Sequence, residues 1–435
     1  MPQDSFTDYD RAFRAPGAAA VFYGVAGGHH IYKPDPFDVP AVHCEARRCF
    51  DRLVARHTGP GAPGTGSIFL LKGRAGSGKT HLLRAFRDRV HRDETGYVGY
   101  LQLTSETHNY HRYILSALVE HLQHPYHGEL DTRSGLRRLS DAMAEASTTM
   151  GRRFRNTGRA ALETLQEGSL PQQMIVRVVE MLAPHILQEP RYSAVDIDLV
   201  RVLLYLQTGN PRLENLVKKY LRAERLAPQD EEALGNICSL TDEAAPARML
   251  AQLGHLMWQT QHELLVIEVD QVENIASMDN ARERFQRAVN ALTSLANDVP
   301  SSIIVLACLE DYYINLRDLL LGSAIDRLEQ DPEPILLSAR PGTRQLAAIL
   351  ARRLAHLYAA AGLAAPDPGT YPFDAEALGR LAGLTIRDVL AFARKWQQQC
   401  AEAGRMLPPP LADAPRDTGA TPEPRNPDPL DALRR

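Results

Sequence analysis

The chain has 435 residues, with 49 Lys and Arg against 53 Asp and Glu, a net charge of −4. Hydrophobic residues make up 44% and charged residues 23%, the balance of a soluble globular protein of two or three domains. These numbers exclude a wholly basic nucleic-acid binder, and no apolar run reaches the roughly 18 residues of a membrane span. The five cysteines, Cys44, Cys49, Cys238, Cys308 and Cys400, are scattered and odd in number, which argues against a disulfide framework. The N-terminus carries early acidic residues and no sustained apolar stretch, so it does not read as a signal peptide, and the expected localisation is cytoplasmic.

Residues 1–66 are mixed and punctuated by Gly and Pro around 27–40 and 59–66, with one helix expected over about 40–57. Ser67–Lys72 (SIFLLK) reads as a buried strand, 81–90 as a helix, and 97–104 (YVGYLQLT) as a second strand. From about 105 to 261 the chain is rich in Leu, Ala, Arg and Glu at helical spacing, as in MIVRVVEMLAPHIL and LENLVKKYLRAERL, without a clean internal repeat. Strand-like runs return at Leu264–Asp270, Ser302–Cys308 and Pro334–Ser338, separated by helical segments near 281–297 and 313–321. Alternating buried strands and helices predict an α/β fold with a mostly parallel sheet covered on both faces. Residues 342–404 read as helical only. The stretch 406–435 holds eight prolines and no aromatic residue and is expected to be disordered.

Gly73-Arg74-Ala75-Gly76-Ser77-Gly78-Lys79-Thr80 is a full G-x-x-x-x-G-K-[ST] match between an apolar strand and a helix. The glycines let successive backbone N–H groups converge, and with the helix N-terminus they can hold phosphate oxygens. Lys79 supplies a point charge to the outer phosphates and the Thr80 hydroxyl a ligand for Mg²⁺; the competing reading is an incidental Gly-rich turn. Such a cradle needs an acidic partner, and the strand Leu264–Asp270 would bring Asp270 out at the sheet's carboxyl edge to hold Mg²⁺. An Asp that merely caps the next turn is the alternative.

Here the chain resembles the AAA+ ATPases. GKTHLLRA (Gly78–Ala85) and VDQVE (Val269–Glu273) are similar to the corresponding segments of bacterial replication-initiator and helicase-loader ATPases, over about residues 35–105 and 262–400. The resemblance implies a P-loop (Walker A) sheet with ATP and Mg²⁺ bound, the adenine between about Asp35–Val42 and a helical lid, and a homo-oligomer. Gly73 to Thr80 and His81 would face the nucleotide. Arg327 would be an arginine finger reaching a neighbouring subunit, and Arg387 a lid sensor of the phosphates; each competes with a surface arginine, Arg327 through pairing with Asp326 or Glu329. The polar sensor of the fourth strand has no Asn, Ser or Thr here, only Ala307-Cys308-Leu309-Glu310, which leaves Cys308 or Glu310 to serve. The organisation expected is an N-terminal segment (1–66), an ATPase core (67–104 and 262–339), a helical insertion (105–261) carrying a partner surface, a lid (340–404) and a tail (405–435).

Gln271 departs from the pattern, because such enzymes place Glu after the strand Asp to activate water, and glutamine cannot accept a proton. Glu268 and Glu273 are the candidate substitutes, and hydrolysis is expected to be slow or to need a partner. Histidines at His108, His111, His121, His124 and His127 raise a zinc site against solvated or capping roles, and Cys44 and Cys49 read as buried small residues. The arginines Arg133, Arg137, Arg138, Arg152, Arg153, Arg155 and Arg159 could bind DNA phosphates or be a solvated helix face. The expected function is ATP hydrolysis coupled to conformational change in an oligomer acting with DNA or a nucleoprotein, as in replication, transposition or anti-phage defence. The alternative is a slow nucleotide switch or scaffold that recognises protein partners through the insertion. A kinase-like transferase is a third reading, disfavoured by the all-helical segment after the last strand.

Overall fold

The computed structural model describes residues 6–24, 31–61, 63–103, 108–127, 132–149, 152–168 and 170–410. Most of the expected disordered tail, 411–435, lies outside these, as do the side chains of Arg152, Arg153 and Arg155. Five strands, β1 (Ser67–Gly73), β2 (Gly96–Gln102), β3 (Leu264–Asp270), β4 (Ser302–Cys308) and β5 (Ile335–Leu337), form one all-parallel sheet in the order β2-β3-β4-β1-β5. The fold is therefore α/β, as the alternating pattern predicts.

The strands are continuous apolar runs because both faces are covered. One face presents Phe69, Leu71, Val98, Val266 and Val305 to α2 (Cys44–Thr58) and α3 (Lys79–Arg92), whose Phe50 and Phe86 stack with centroids 4.1 Å apart. The other presents Ile68, Leu70, Ile267, Ile304 and Leu306 to the helices between β2 and β3 and to α12. The helices up to β4 are α4 (Tyr110–His121), α5 (Gly135–Thr149), α6 (Arg152–Gln166), α7 (Gln172–Leu187), α8 (Ile197–Tyr205), α9 (Pro211–Leu221), α10 (Pro228–Ala233), α11 (Ala245–Gln261) and α12 (Ala281–Asp298). The helical stretch after β2 thus shares one continuous core with the sheet instead of forming a body of its own. Two short helices, α13 (Glu310–Arg317) and α14 (Gly322–Glu329), connect β4 to β5. The outer edge of β2, itself buried, is capped by side chains: Tyr126 OH donates to Gly96 O (2.8 Å) and Tyr100 N–H to His121 Nδ1 (3.2 Å).

A third core holds α15 (Thr343–Ala360), α16 (Ala375–Leu381) and α17 (Ile386–Ala403) together with the N-terminal helix α1 (Phe6–Phe13). Phe13, Phe22, Phe373 and Trp396 pack edge to face, and Gln397 Nε2 donates to Phe13 O (2.8 Å). Between α1 and α2 the chain alternates: Ile31 joins the sheet core, Val39 and Val42 the third core, and Ala46 the sheet core again. Cys49 is buried, but Cys44, at the first turn of α2, is exposed rather than a buried small residue. Among the described residues no helix is long and apolar enough to cross a membrane.

Candidate functional site

The site grows from the end of β1. After Gly73 the chain turns through Arg74–Gly78 into α3, with Gly76 and Gly78 at φ of 77° and 91°, where only glycine is free of strain. A Cβ on Gly73 would stand 2.6 Å from Ser77 Oγ, so no side chain fits there. Ser77 N–H closes a turn onto Arg74 O (3.1 Å). The N–H groups of the first turn of α3 have no intrahelical acceptor and point, with the helix dipole, out of the loop. Lys79 is buried, and its ammonium folds back to donate to Gly73 O (2.9 Å) and Arg74 O (3.3 Å). His43 donates Nε2–H to Ser77 O (2.7 Å) from the other side of the loop, and burial lowers its pKa.

The register of the sheet brings Asp270, at the end of β3, to this loop. Thr80 Oγ1 donates to Asp270 Oδ2 at 2.6 Å across 190 residues of sequence. The same oxygen accepts Tyr100 OH (3.1 Å), whose own oxygen is held by Gln102 Nε2 (2.7 Å), and Asp270 Oδ1 accepts Gln271 N–H (2.9 Å). These donors fix the carboxylate before any ligand arrives. The paired Thr80 and Asp270 oxygens are hard donors of the kind a divalent cation such as Mg²⁺ would take.

Gln271 has φ of 54°, a left-handed backbone uncommon for its residue type. Its side chain accepts from Asn274 Nδ2 (3.0 Å). The chain then enters a short 3₁₀ turn, Val272–Ser277, that lays Glu273 on the cavity wall, where its Oε2 accepts Leu309 N–H (3.3 Å). Burial raises the Glu273 pKa, while Lys79 pulls it down and Asp270 adds to the rise. Glu268, on the same sheet face as Asp270, is placed differently: it is fully buried beneath α3, neither oxygen has a partner, and burial drives its pKa far up. It does not line the cavity. Cys308 is also sealed in the core, its thiol pushed up to about 12 by burial, and Leu309 takes the wall position instead.

The loop, the end of β3 and helices α15 and α17 enclose a cavity of about 410 Å³. Its polar half is built by Lys79, Thr80, Asp270, Gln271 and Glu273, its apolar half by Phe22, Phe37, Val39, Val42, Ile349 and Leu390. Three arginines of α15 and α17 reach it. Arg387 lies over the loop tip, its Cβ 3.6 Å from where a Cβ on Gly76 would be. Arg394, two turns along α17, sits 4.9 Å from the Tyr23 ring centroid. Arg353 stacks 4.5 Å over Phe37 and donates to Tyr23 O (3.1 Å), and burial lowers its pKa to about 10. His43, Tyr100, Arg353, Arg394 and the aromatic wall carry no sequence motif; packing alone brings them here.

Other candidates lie elsewhere or are engaged within the chain. His81 lines the cavity, but its ring nitrogens face Asp35 Oδ2 (2.8 Å) and Asp38 Oδ1 (3.0 Å). Burial lowers its pKa, the two carboxylates outweigh that, and the net shift is upward. It therefore clamps the 35–38 segment onto α3. Arg327 donates to Gly66 O (3.0 Å), Thr65 Oγ1 (3.2 Å) and Asn297 Oδ1, beside the start of β1 and so at the opposite rim of the sheet from Lys79. Of its expected rivals for pairing, Glu329 is held by Arg317 (2.6 Å) and Asp326 by Gln330 (2.7 Å). In the basic stretch, Arg137 pairs with Asp141 (2.9 Å), Arg138 with Glu263 (2.5 Å) over the Tyr126 ring, and Arg159 with Glu163 (2.9 Å). Tyr32 stacks on His124 at 3.6 Å, and among the described residues no group of three or more His, Cys, Asp or Glu is placed to hold a metal ion. A larger groove of about 1670 Å³ runs along α2 and α3, but its charges are largely paired, as in Arg47–Asp38 and Arg89–Asp51, and no convergent chemistry marks it.

Compared with protein-family models, with curated proteins and with solved structures, the chain has no match.

Proposed function

We propose that the chain is an AAA+-type ATPase that binds ATP with Mg²⁺ in the cavity between the Gly73–Thr80 loop and the lid. The observation that carries this reading is the 2.6 Å contact of Thr80 with Asp270 beside buried Lys79, at the carboxyl ends of parallel strands. The apolar half of the cavity, bounded by the 37–42 segment and the lid, offers a wall for adenine, as the resemblance implies. The loop N–H groups and Lys79 would take the β- and γ-phosphates once the ammonium leaves the carbonyls of Gly73 and Arg74. Arg387 and Arg394 add positive charge from the lid. Thr80 and Asp270 would hold Mg²⁺, which keeps few protein ligands at phosphate sites and neutralises phosphate charge.

A second reading is favoured by Gln271 and by the sealed Cys308: the chain is a slow nucleotide switch that recognises protein partners through the helices between β2 and β3. The internal pairing of Arg137, Arg138 and Arg159 weakens the DNA reading of that stretch. Titration with a fluorescent ATP analogue, with and without Mg²⁺, tests the nucleotide reading. Saturable binding that weakens about 100-fold or more in Lys79→Ala, a loss of about 2.7 kcal/mol, is the expected result. Equal affinity for the variant, or no binding by the native chain, refutes it. Mass measurement in solution with and without ATP reads the oligomer, and filter binding of duplex DNA across a salt series reads the nucleic-acid partner.

A further inference from the structure

We infer that Glu273, three residues beyond the metal-site aspartate, is the group that accepts the proton of the attacking water. The inference rests on the nucleotide reading above. Besides Asp270, three carboxylates or carboxylate surrogates stand near the β3 terminus, and the geometry separates them. Gln271 lines the cavity, but an amide has no basic lone pair at neutral pH, and its oxygen is engaged by Asn274. Glu268 is an acid, but it has no exposure and no path to the cavity. Glu273 is an acid, lies on the cavity wall with Lys79, Thr80 and Asp270, and has one oxygen fixed by the Leu309 N–H at the end of β4.

The backbone explains how a residue so far along the chain arrives there. A regular continuation of β3 would carry position 271 into the place next to Asp270. Instead Gln271 turns left-handed, its N–H folds onto Asp270 Oδ1, and the 3₁₀ turn curls the chain back so that position 273 faces the cavity. A strained backbone of this kind persists only where its surroundings over-determine it. Here the Asp270, Asn274 and Leu309 hydrogen bonds do so.

The step balances without a further reactant. The water oxygen forms a bond to the γ-phosphorus, and the bond from that phosphorus to the β,γ-bridging oxygen breaks, leaving its electron pair on ADP. The released water proton passes to the Glu273 carboxylate and from there to phosphate or solvent.

The test compares native protein, Glu273→Gln and Glu273→Asp by single-turnover phosphate release with protein in excess, alongside analogue affinity and melting temperature. The expected result is a fall in the chemical rate on the order of 10²–10⁴-fold for the Gln variant. Its Kd should stay within about threefold, and the acid limb of the pH–rate profile should disappear. The Asp variant should recover part of the rate. Turnover of Glu273→Gln within threefold of native overturns the inference, as does a native chain that binds ATP with Mg²⁺ and releases no phosphate. Loss of nucleotide binding by the Gln variant also overturns it, by making Glu273 a ligand-placing group. Absence of binding by the native chain marks failure of the nucleotide reading itself.

Discussion

The two rims of the sheet use the same polar residue types to opposite ends. At the rim where the strands begin, donors and acceptors close on one another: His57 Nε2 bonds Ser67 Oγ (2.8 Å), Arg327 spans Gly66, Thr65 and Asn297, and Arg138 grips Glu263. Gly66 is so tightly packed that a Cβ would fall 2.1 Å from Ser302 Oγ. At the rim where the strands finish, the loop N–H groups, Lys79 and the arginines of α17 face a cavity, and the backbone turns left-handed at Gln271. Spent polar groups describe a structural seam. Polar groups gathered around a cavity, held there by strain and by neighbours, describe a candidate site.

Perturbing each rim in turn sharpens that contrast. The largest effect in this set is expected from acid at the starting rim. His57 titrates near 6.5 in an unfolded chain, but burial, aided by Arg56, lowers it to about 4 in the fold. Below pH 6.5 the unfolded chain binds a proton that the folded chain refuses, so stability present above 6.5 declines toward pH 4. His57→Gln, which keeps a partner for Ser67, should remove about 2–3 kcal/mol of that decline, read from urea midpoints at pH 7 and pH 4. Parallel pH curves for the two proteins would remove His57 from the account.

Arg327→Ala should cost about 1–2 kcal/mol of stability, since it strips hydrogen bonds from three groups at the start of β1. An unchanged melting temperature together with lost turnover would return Arg327 to the finger role that the resemblance implies. Tyr100→Phe, at the finishing rim, removes one donor from Asp270 Oδ2 and should weaken Mg²⁺-dependent analogue binding by several-fold, about 1 kcal/mol. Binding without Mg²⁺ should change less, and equal losses in both conditions would make Tyr100 a packing residue only.

Much of the finishing rim was legible in the residues. The glycine spacing marks the loop, and the LLVIEVD run ending in Asp270 marks its partner, because both are local patterns. The choice between Glu268 and Glu273 was not. A regular strand puts Glu268 on the Asp270 side, and that is where it lies, but α3 covers the place and the left-handed turn at Gln271 is invisible to periodicity. Boundaries shifted for similar reasons. The helix expected over 313–321 runs instead over Glu310–Arg317, with α14 a separate helix beginning at Gly322, and the helix expected over 40–57 starts at Cys44, after the left-handed His43. The basic stretch read as a possible patch because sequence shows charge but not the Asp141, Glu263 and Glu163 that consume it.

The interleaving of residues 6–46 has a practical corollary for anyone cutting this protein in two. A fragment starting near residue 340 would leave behind Phe13, Phe22, Val39 and Val42, the rings and aliphatic groups that fill its interior, and would open Gln397 to solvent. Expressed alone it should precipitate or stay unfolded, whereas co-expression with the preceding portion should reconstitute it. Split-reporter complementation at that junction is therefore an assembly assay already encoded by the chain's path.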